Sequence, residues 1–374
     1  MAHVNFDFSD DQKFLKGEAR KFLEANCTTA RVRGVLDDAG KAYDEALWKA
    51  VAEQGWLGAA IPEAYGGLGL GHLELCAIAE ELGRAVAPIP FASTVYFVAE
   101  AVMLAGDEEQ KAWLLPKVAA GEIIGCMATS EGPGPATAAS LKTTVTDGKL
   151  SGVKLPVTDG DIANVALVLA KENGKPGLYS VYLDGEGVTR EVLQTLDPSR
   201  DAAKLTFKNA PAIRLGEAGA GMEIVEQVFD RAAILLAFEQ CGGADRCLEM
   251  AKAYALERYA FGRVIASYQA IKHKLADMYV KNELARSNAY YGAWALNTNA
   301  AETPLAASAA RIAASEAFWF AAKENIQTHG GIGFTWEMDC HLYYRRSRQL
   351  GLVAGAPRVW KERLVSHLER RNAA

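Results

Sequence analysis

The sequence lacks any uninterrupted apolar run near the roughly 20 residues that a bilayer-crossing helix needs. It holds six histidines and six cysteines in 374 residues. None of the cysteines (Cys27, Cys76, Cys126, Cys241, Cys247, Cys340) falls in a CxxC pair or at zinc-ligand spacing. Neither a disulfide framework nor a metal site is expected, and buried free thiols in a reducing compartment are. A basic stripe is missing too. The formal net charge is -6, and the one basic cluster, Arg345, Arg346 and Arg348, reads as a solvated or ion-paired helix face. No nucleic-acid partner is therefore expected. The opening MAHVNFDFSDDQ is acidic and has no apolar signal core. A cytoplasmic location off the membrane is expected.

Half of the residues are apolar and 23% are charged, as in ordinary globular proteins. At this length two or three domains are expected. Residues 1–122 read as helices. Ser9 and Gln12 have capping-box spacing, followed by apolar Phe14, Leu15, Phe22 and Leu23 at helical spacing. Residues 123–214 carry short apolar runs such as 165–169 and 178–182, separated by the turn pairs Asp147-Gly148 and Asn173-Gly174. These runs predict a small β-sandwich or barrel. Residues 215–374 return to helix, with no proline between Pro211 and Pro304. Stretches 222–258, 268–296 and 305–327 suit an antiparallel bundle. The class is mainly α with an inserted β-domain.

Three glycine-bearing motifs stand out. Gly66-Gly67-Leu68-Gly69-Leu70-Gly71 does not follow a strand or open a βαβ unit, so a tight structural turn is expected rather than a dinucleotide loop. In the stretch 254–263, Arg258 stands beside Phe261 and Gly262. Such a helix end can hold a pyrophosphate, and it can equally be an ordinary cationic cap. Gln327-Thr328-His329-Gly330-Gly331-Ile332-Gly333 allows close backbone approach to a ligand, and it also suits a helix-ending loop.

The order of four pieces resembles the acyl-CoA dehydrogenase family across essentially the whole chain. They are Pro62-Glu63-x-Tyr65-Gly66-Gly67-x-Gly69, Lys154-x-x-Val157-Thr158-Asp159-Gly160, Arg258-x-x-Phe261-Gly262 and Gln327-x-x-Gly330-Gly331-x-Gly333. The resemblance implies an N-terminal helical domain, a middle β-domain and a C-terminal four-helix bundle, assembled as a dimer of dimers with FAD across a subunit interface. It implies that Arg258 and Phe261 meet the FAD pyrophosphate, with Gln269 near the adenosine half. Gln327, Gly330 and Gly331 would reach the nucleotide across the interface. Thr158 would place a hydroxyl near flavin N5, Ser130 and Glu131 would lie beside the isoalloxazine, and Asp230 would meet the pantetheine arm of CoA.

The sequence departs from the family on the catalytic side. A carboxylate must remove the α-proton of the thioester. Its usual position falls on Ala354 and the minority position on Ala232, with Ala233 where relatives carry an arginine. The triplet threonine is Ala356, Gly132-Pro133-Gly134-Pro135-Ala136 replaces the family's β-domain motif, and Pro156 stands at an expected tryptophan. Glu239, seven residues after Ala232, shares that helix face roughly 10 Å further on and is the one substitute base to consider. The resemblance therefore implies α,β-dehydrogenation of an acyl-CoA thioester with FAD as hydride acceptor and electron-transfer flavoprotein as partner. This chain would act either as a homomer using another base or as the non-catalytic member of a heteromer. The alternative is an inactive scaffold or CoA-thioester-binding homologue without FAD turnover.

Overall fold

The computed structural model describes residues 8–38 and 40–373. Six α-helices come first: α1 (Asp10–Asn26), α2 (Thr29–Leu36), α3 (Glu45–Glu53), α4 (His72–Arg84), α5 (Glu100–Ala105) and α6 (Glu108–Ala119). Eight strands follow: β1 (Gly125–Ala128), β2 (Thr144–Thr146), β3 (Lys149–Thr158), β4 (Val165–Glu172), β5 (Lys175–Tyr182), β6 (Val188–Leu193), β7 (Ala202–Pro211) and β8 (Ile213–Leu215). The long α7 (Gly221–Glu257) leads to a hairpin of β9 (Tyr259–Ala260) and β10 (Arg263–Val264). The chain closes with α8 (Gln269–Asn297), α9 (Thr303–His329), α10 (Cys340–Leu352) and α11 (Pro357–Ala373). Helical regions thus flank a central mixed sheet. Among the described residues no helix is long and apolar enough to cross a membrane. By packing, the elements group into two compact units that divide within α7.

The first unit comprises Met1–Ala30, His72–Ala87 and Ala233–Ala374. Its α1 begins at the capping box read from the sequence, with Ser9 and Gln12 exchanging side-chain and backbone hydrogen bonds. Ion pairs tie α1 to α4, where Lys16 meets Glu80 at 2.5 Å and Arg20 holds Glu81 with two bonds of 2.8 and 2.9 Å. Arg286 of α8 also holds Glu80. Burial alone would favour the neutral Glu80 acid, but Lys16 and Arg286 outweigh it and the carboxyl pKa falls. Helices α4 and α7 touch backbone to backbone. A Cβ on Gly83 would lie 1.8 Å from the Glu239 carbonyl, and one on Gly242 would lie 1.8 Å from that of Glu80. Alanines 306, 307, 310, 314, 317, 321 and 322 line α9 and are buried, so the helices packed on it approach closely.

The second unit comprises Arg31–Gly71 and Pro88–Ala232. The 66–71 loop is a structural turn, as the sequence predicts. Its amides donate to Glu63, Pro62, Gly58, Ile61 and Ala59, and a Cβ on Gly67 would sit 2.0 Å from the Ile61 carbonyl. The strands form one mixed sheet in the order β6-β7-β3-β2-β4-β5-β8, with β1 added along β4. Strand β4 is buried on both faces for its first six residues, which explains its unbroken apolar run. It lies parallel to β1 and antiparallel to β5. Asp147-Gly148 and Asn173-Gly174 turn their hairpins with positive φ at both central residues (49° and 69°, 51° and 79°), as that turn type demands. A π-helical segment, Ala92–Ala99, packs on β1 and is buried throughout.

All six cysteines are buried free thiols. The arginine cluster of α10 corrects the solvated half of its expectation, while the ion-paired half holds at Arg346, 4.0 Å from Glu239. Arg346 is 1% exposed and donates to the carbonyls of Val86 and Ala87, each at 3.2 Å. A charge run that reads as a helix face contains a buried cation, because the carbonyls of Val86 and Ala87, just beyond the end of α4, need a donor.

Candidate functional site

In the second unit, Ser130 follows β1 and its hydroxyl turns back to the Gly132 carbonyl at 3.0 Å. Its own carbonyl accepts from the Leu155 amide at 3.0 Å, which brings it beside β3. The next residue, Glu131, binds the fully buried Lys154 ammonium at 2.8 Å, the Thr143 hydroxyl at 2.6 Å, and the amides of Lys142 and Thr143. Burial disfavours the Glu131 carboxylate, yet Lys154 and Thr143 outweigh it and bring its pKa down to about 2. Gly132 to Ala136, Ser140 and Lys142 surround a shallow cavity of about 260 Å³ beside Glu131.

Thr158 ends β3, half-exposed and in register with Ala202 of β7. Asp159 follows at φ 55°, a left-handed conformation uncommon outside glycine. Its carboxylate is buried against Arg200, at 3.1 and 3.4 Å, and accepts from the Ser93 hydroxyl at 2.6 Å. Asp161, Asp197 and Asp201 crowd the same corner. The Asp201 carboxyl is pushed up to about 6 by burial, with Asp161, Asp159 and Asp197 adding to the shift. Asp230 is buried on α7, and Ala232 is wholly buried two residues on.

In the first unit, α7 ends at Glu257 and Arg258 is exposed immediately beyond it. The β9–β10 hairpin holds Phe261 (φ 53°) and Gly262 (φ 80°) at its tip, and Phe261 is 97% exposed. Arg263 stacks on Tyr268 at 4.0 Å, and the Tyr268 hydroxyl donates to the Ala260 carbonyl at 2.9 Å, so the hairpin is held from behind. Gln269 opens α8, exposed. Gln327 is exposed near the end of α9, and Gly330 (φ 67°) and Gly331 lie open beyond it. Tyr254 and His329 stack at 4.3 Å, which brings the Arg258 and Gly330 segments to one end of this unit.

Ala354 occupies the turn between α10 and α11 at φ 60°. That turn is braced from inside by Arg311, which is 1% exposed. Arg311 donates to the Val353 carbonyl at 2.7 Å, to Gln240 at 2.6 Å, and to the Leu350 carbonyl. Burial pushes its guanidinium down to about 10, against the pull of Glu239. Glu239 is 4% exposed, stands 4.0 Å from Arg346, and carries its backbone against Gly83. Its carboxylate lies among buried cations. Sequence reasoning missed Arg200, Ser93 and Arg311. The charged run Asp197-Pro198-Ser199-Arg200-Asp201 was the available sign of a built corner.

Helical regions before and after a mixed sheet in chain order are the architecture of an acyl-CoA dehydrogenase-type fold. The acyl-CoA dehydrogenase N-terminal domain model matches residues 9–122, and the C-terminal domain model matches residues 219–368. Acyl-CoA dehydrogenase IpdE2 of Mycobacterium tuberculosis is 33% identical over 362 residues, 96% of this chain and 98% of the relative. The structure of the Tcur3481-Tcur3483 steroid ACAD superposes with a TM-score of 0.89 at 32% identity, covering 98% of this chain and 99% of that one. An acyl-CoA dehydrogenase from Bacillus anthracis, complexed with FAD, gives a TM-score of 0.88 at 27% identity, covering 98% of this chain and 68% of that one. The chain belongs to the acyl-CoA dehydrogenase family.

Proposed function

We propose that this chain is the base-free subunit of a heteromeric, FAD-dependent acyl-CoA dehydrogenase, which introduces a 2,3-double bond into an acyl-CoA thioester. One observation carries the reading. Both positions at which the family keeps its base are alanines, Ala354 and Ala232, while the Ala354 turn remains braced by Arg311. Losing a general base costs roughly 10² to 10⁴ in rate, so the α-proton must go to a carboxylate of another subunit.

The nucleotide side fits FAD. An exposed cation, Arg258, stands beside a nearly fully exposed aromatic, Phe261, and no atom lies within 4 Å of a Cβ built at Gly262, Gly330 or Gly331. Leaving a phenylalanine in water forgoes about 1.5–3 kcal/mol of burial, which favours a partner over this hairpin. When bound, FAD supplies the acceptor for the β-hydrogen as hydride. Arg258 and Phe261 hold the pyrophosphate and Gln269 the adenosine half. Gln327, Gly330 and Gly331 serve a neighbouring subunit's nucleotide. The Thr158 hydroxyl and the Ser130 segment hold the flavin ring, and Asp230 holds the pantetheine arm. Electrons leave to an electron-transfer flavoprotein, and the assembly is a dimer of dimers. Similarity to a steroid ACAD supports a bulky, ring-bearing acyl group.

Co-expression with base-containing homologues, followed by acyl-CoA-dependent reduction of an electron acceptor, tests this reading. Turnover by the pair and not by the single chain is expected. A second reading, a CoA-thioester-binding homologue without FAD turnover, draws on the Gly132–Ala136 replacement and on Ala356. A colourless protein that cannot be reconstituted with FAD would favour it.

A further inference from the structure

The corner behind Thr158 contains more charge than a β-turn requires. Asp159 and Arg200 both have side chains only 3% exposed. A buried ion pair seldom adds net stability, because desolvation of both charges offsets their attraction. The left-handed turn alone would be satisfied by glycine or asparagine with no buried charge. The carboxylate instead joins three separate segments. It reaches Arg200 in the loop before β7 and Ser93 in the π-helical segment, while the Asp159 amide donates to the Asp201 carbonyl at 2.9 Å. The Ser93 hydroxyl also lies 3.1 Å from the Pro90 carbonyl, and Arg200 is fixed through its amide to the Asp197 carbonyl at 3.0 Å. Every tether converges one residue from Thr158, a half-exposed residue whose backbone ends the β3–β7 ladder opposite Ala202.

We propose that Asp159 is a positioning residue, which through Arg200 and Ser93 fixes the end of β3 and thereby the direction of the Thr158 hydroxyl toward the flavin. The inference rests on the reading above that Thr158 meets the flavin. Asp159 is 2% exposed, so in this reading it acts through its neighbour rather than on the flavin itself.

A double-mutant cycle tests it, read as FAD affinity by fluorescence titration and as the position of the bound flavin's visible bands, on the full chain purified with its co-expressed partner. Thermal melts of each variant report folding. Thr158→Val is expected to weaken FAD binding about 5- to 10-fold, the range of one lost hydrogen bond. Asp159→Asn, which keeps the turn and the shape, is expected to weaken it about 3- to 10-fold and to shift the bands, yet to add less than about 2-fold in the Thr158→Val background. Should Asp159→Asn fail to fold, Ser93→Ala removes one hydrogen bond to the same carboxylate, leaves its ion pair with Arg200, and should show the same dependence on Thr158. Equal losses in both backgrounds, or no loss, overturn the positioning role while leaving Thr158 as a flavin contact. An unchanged affinity and spectrum in Thr158→Val, or a complex without FAD, overturns the reading beneath it and the inference together.

Discussion

Arg311 donates to the Val353 carbonyl at 2.7 Å from within the helical unit, so a buried guanidinium holds the turn on which Ala354 stands. The same group also satisfies Leu350 and Gln240. Arg311→Met preserves much of the bulk but strands the Val353 and Leu350 carbonyls, while Gln240 keeps the Ser315 hydroxyl as a donor. Each buried acceptor left bare costs about 1–3 kcal/mol. A loss of roughly 3 kcal/mol or more in urea unfolding is expected, and an unchanged midpoint would show that the brace is idle.

Glu239 is the substitute base that the sequence offers on the face of Ala232, yet it sits near Arg346 and Arg311 with its backbone against Gly83. Glu239→Gln is expected to lower stability by about 1–3 kcal/mol, because it leaves buried cations less compensated. Turnover of the assembled enzyme should stay within about 2-fold, well short of the 10² to 10⁴ loss that follows removal of a general base. A loss of that size with an unchanged melt would make Glu239 the base.

The backbone contact between α4 and α7 leaves no room for a methyl group. Gly83→Ala would drive a Cβ to 1.8 Å from the Glu239 carbonyl, so the two helices must separate. Overpacking typically costs about 1–3 kcal/mol, and a backbone clash of this depth falls at the upper end. Low soluble yield or a sharply reduced melting temperature is expected, whereas a melt within about 2 °C of the parent would contradict the packing.

The Asp201 carboxyl, raised from 3.8 to about 6, predicts a pH dependence. A raised carboxyl pKa means that the folded state binds the proton more tightly than the unfolded chain. Its contribution to stability is therefore largest below pH 3.8, falls as the pH rises toward 6, and is constant above that. Asp201→Asn removes the penalty. It should raise stability at pH 7.5 by no more than about 1 kcal/mol, discounting for the group's partial exposure, and the gain should shrink toward pH 4. Thermal melts at the two pH values check the sign, and a gain confined to acid pH would contradict it.

Much of the fold was legible because its signals are local. The α7 helix follows from a long stretch free of proline, the hairpins from Asp147-Gly148 and Asn173-Gly174, and α1 from the Ser9 capping box. The residue pairs that build the site were not. Asp159 and Arg200 are 41 residues apart, and Arg311 and Val353 are 42 apart, so each partnership exists only through tertiary packing. Arg346 shows the same limit, since an arginine in a polar helix reads as surface until the carbonyls of Val86 and Ala87 are placed beside it. On the candidate site, alanine at 354 and 232 is read directly from the sequence, and the family resemblance makes those the base positions. It held no sign that the turn around Ala354 would stay braced.

The central claim is that this chain contributes a nucleotide site but no base. Steady-state acyl-CoA oxidation, measured with the purified single chain and with the same chain co-purified with a base-containing homologue, tests it most directly. The account predicts flavin-coloured protein in the pair, turnover in the pair, and a rate for the single chain lower by at least about 10²-fold. Full turnover by the single chain would contradict it.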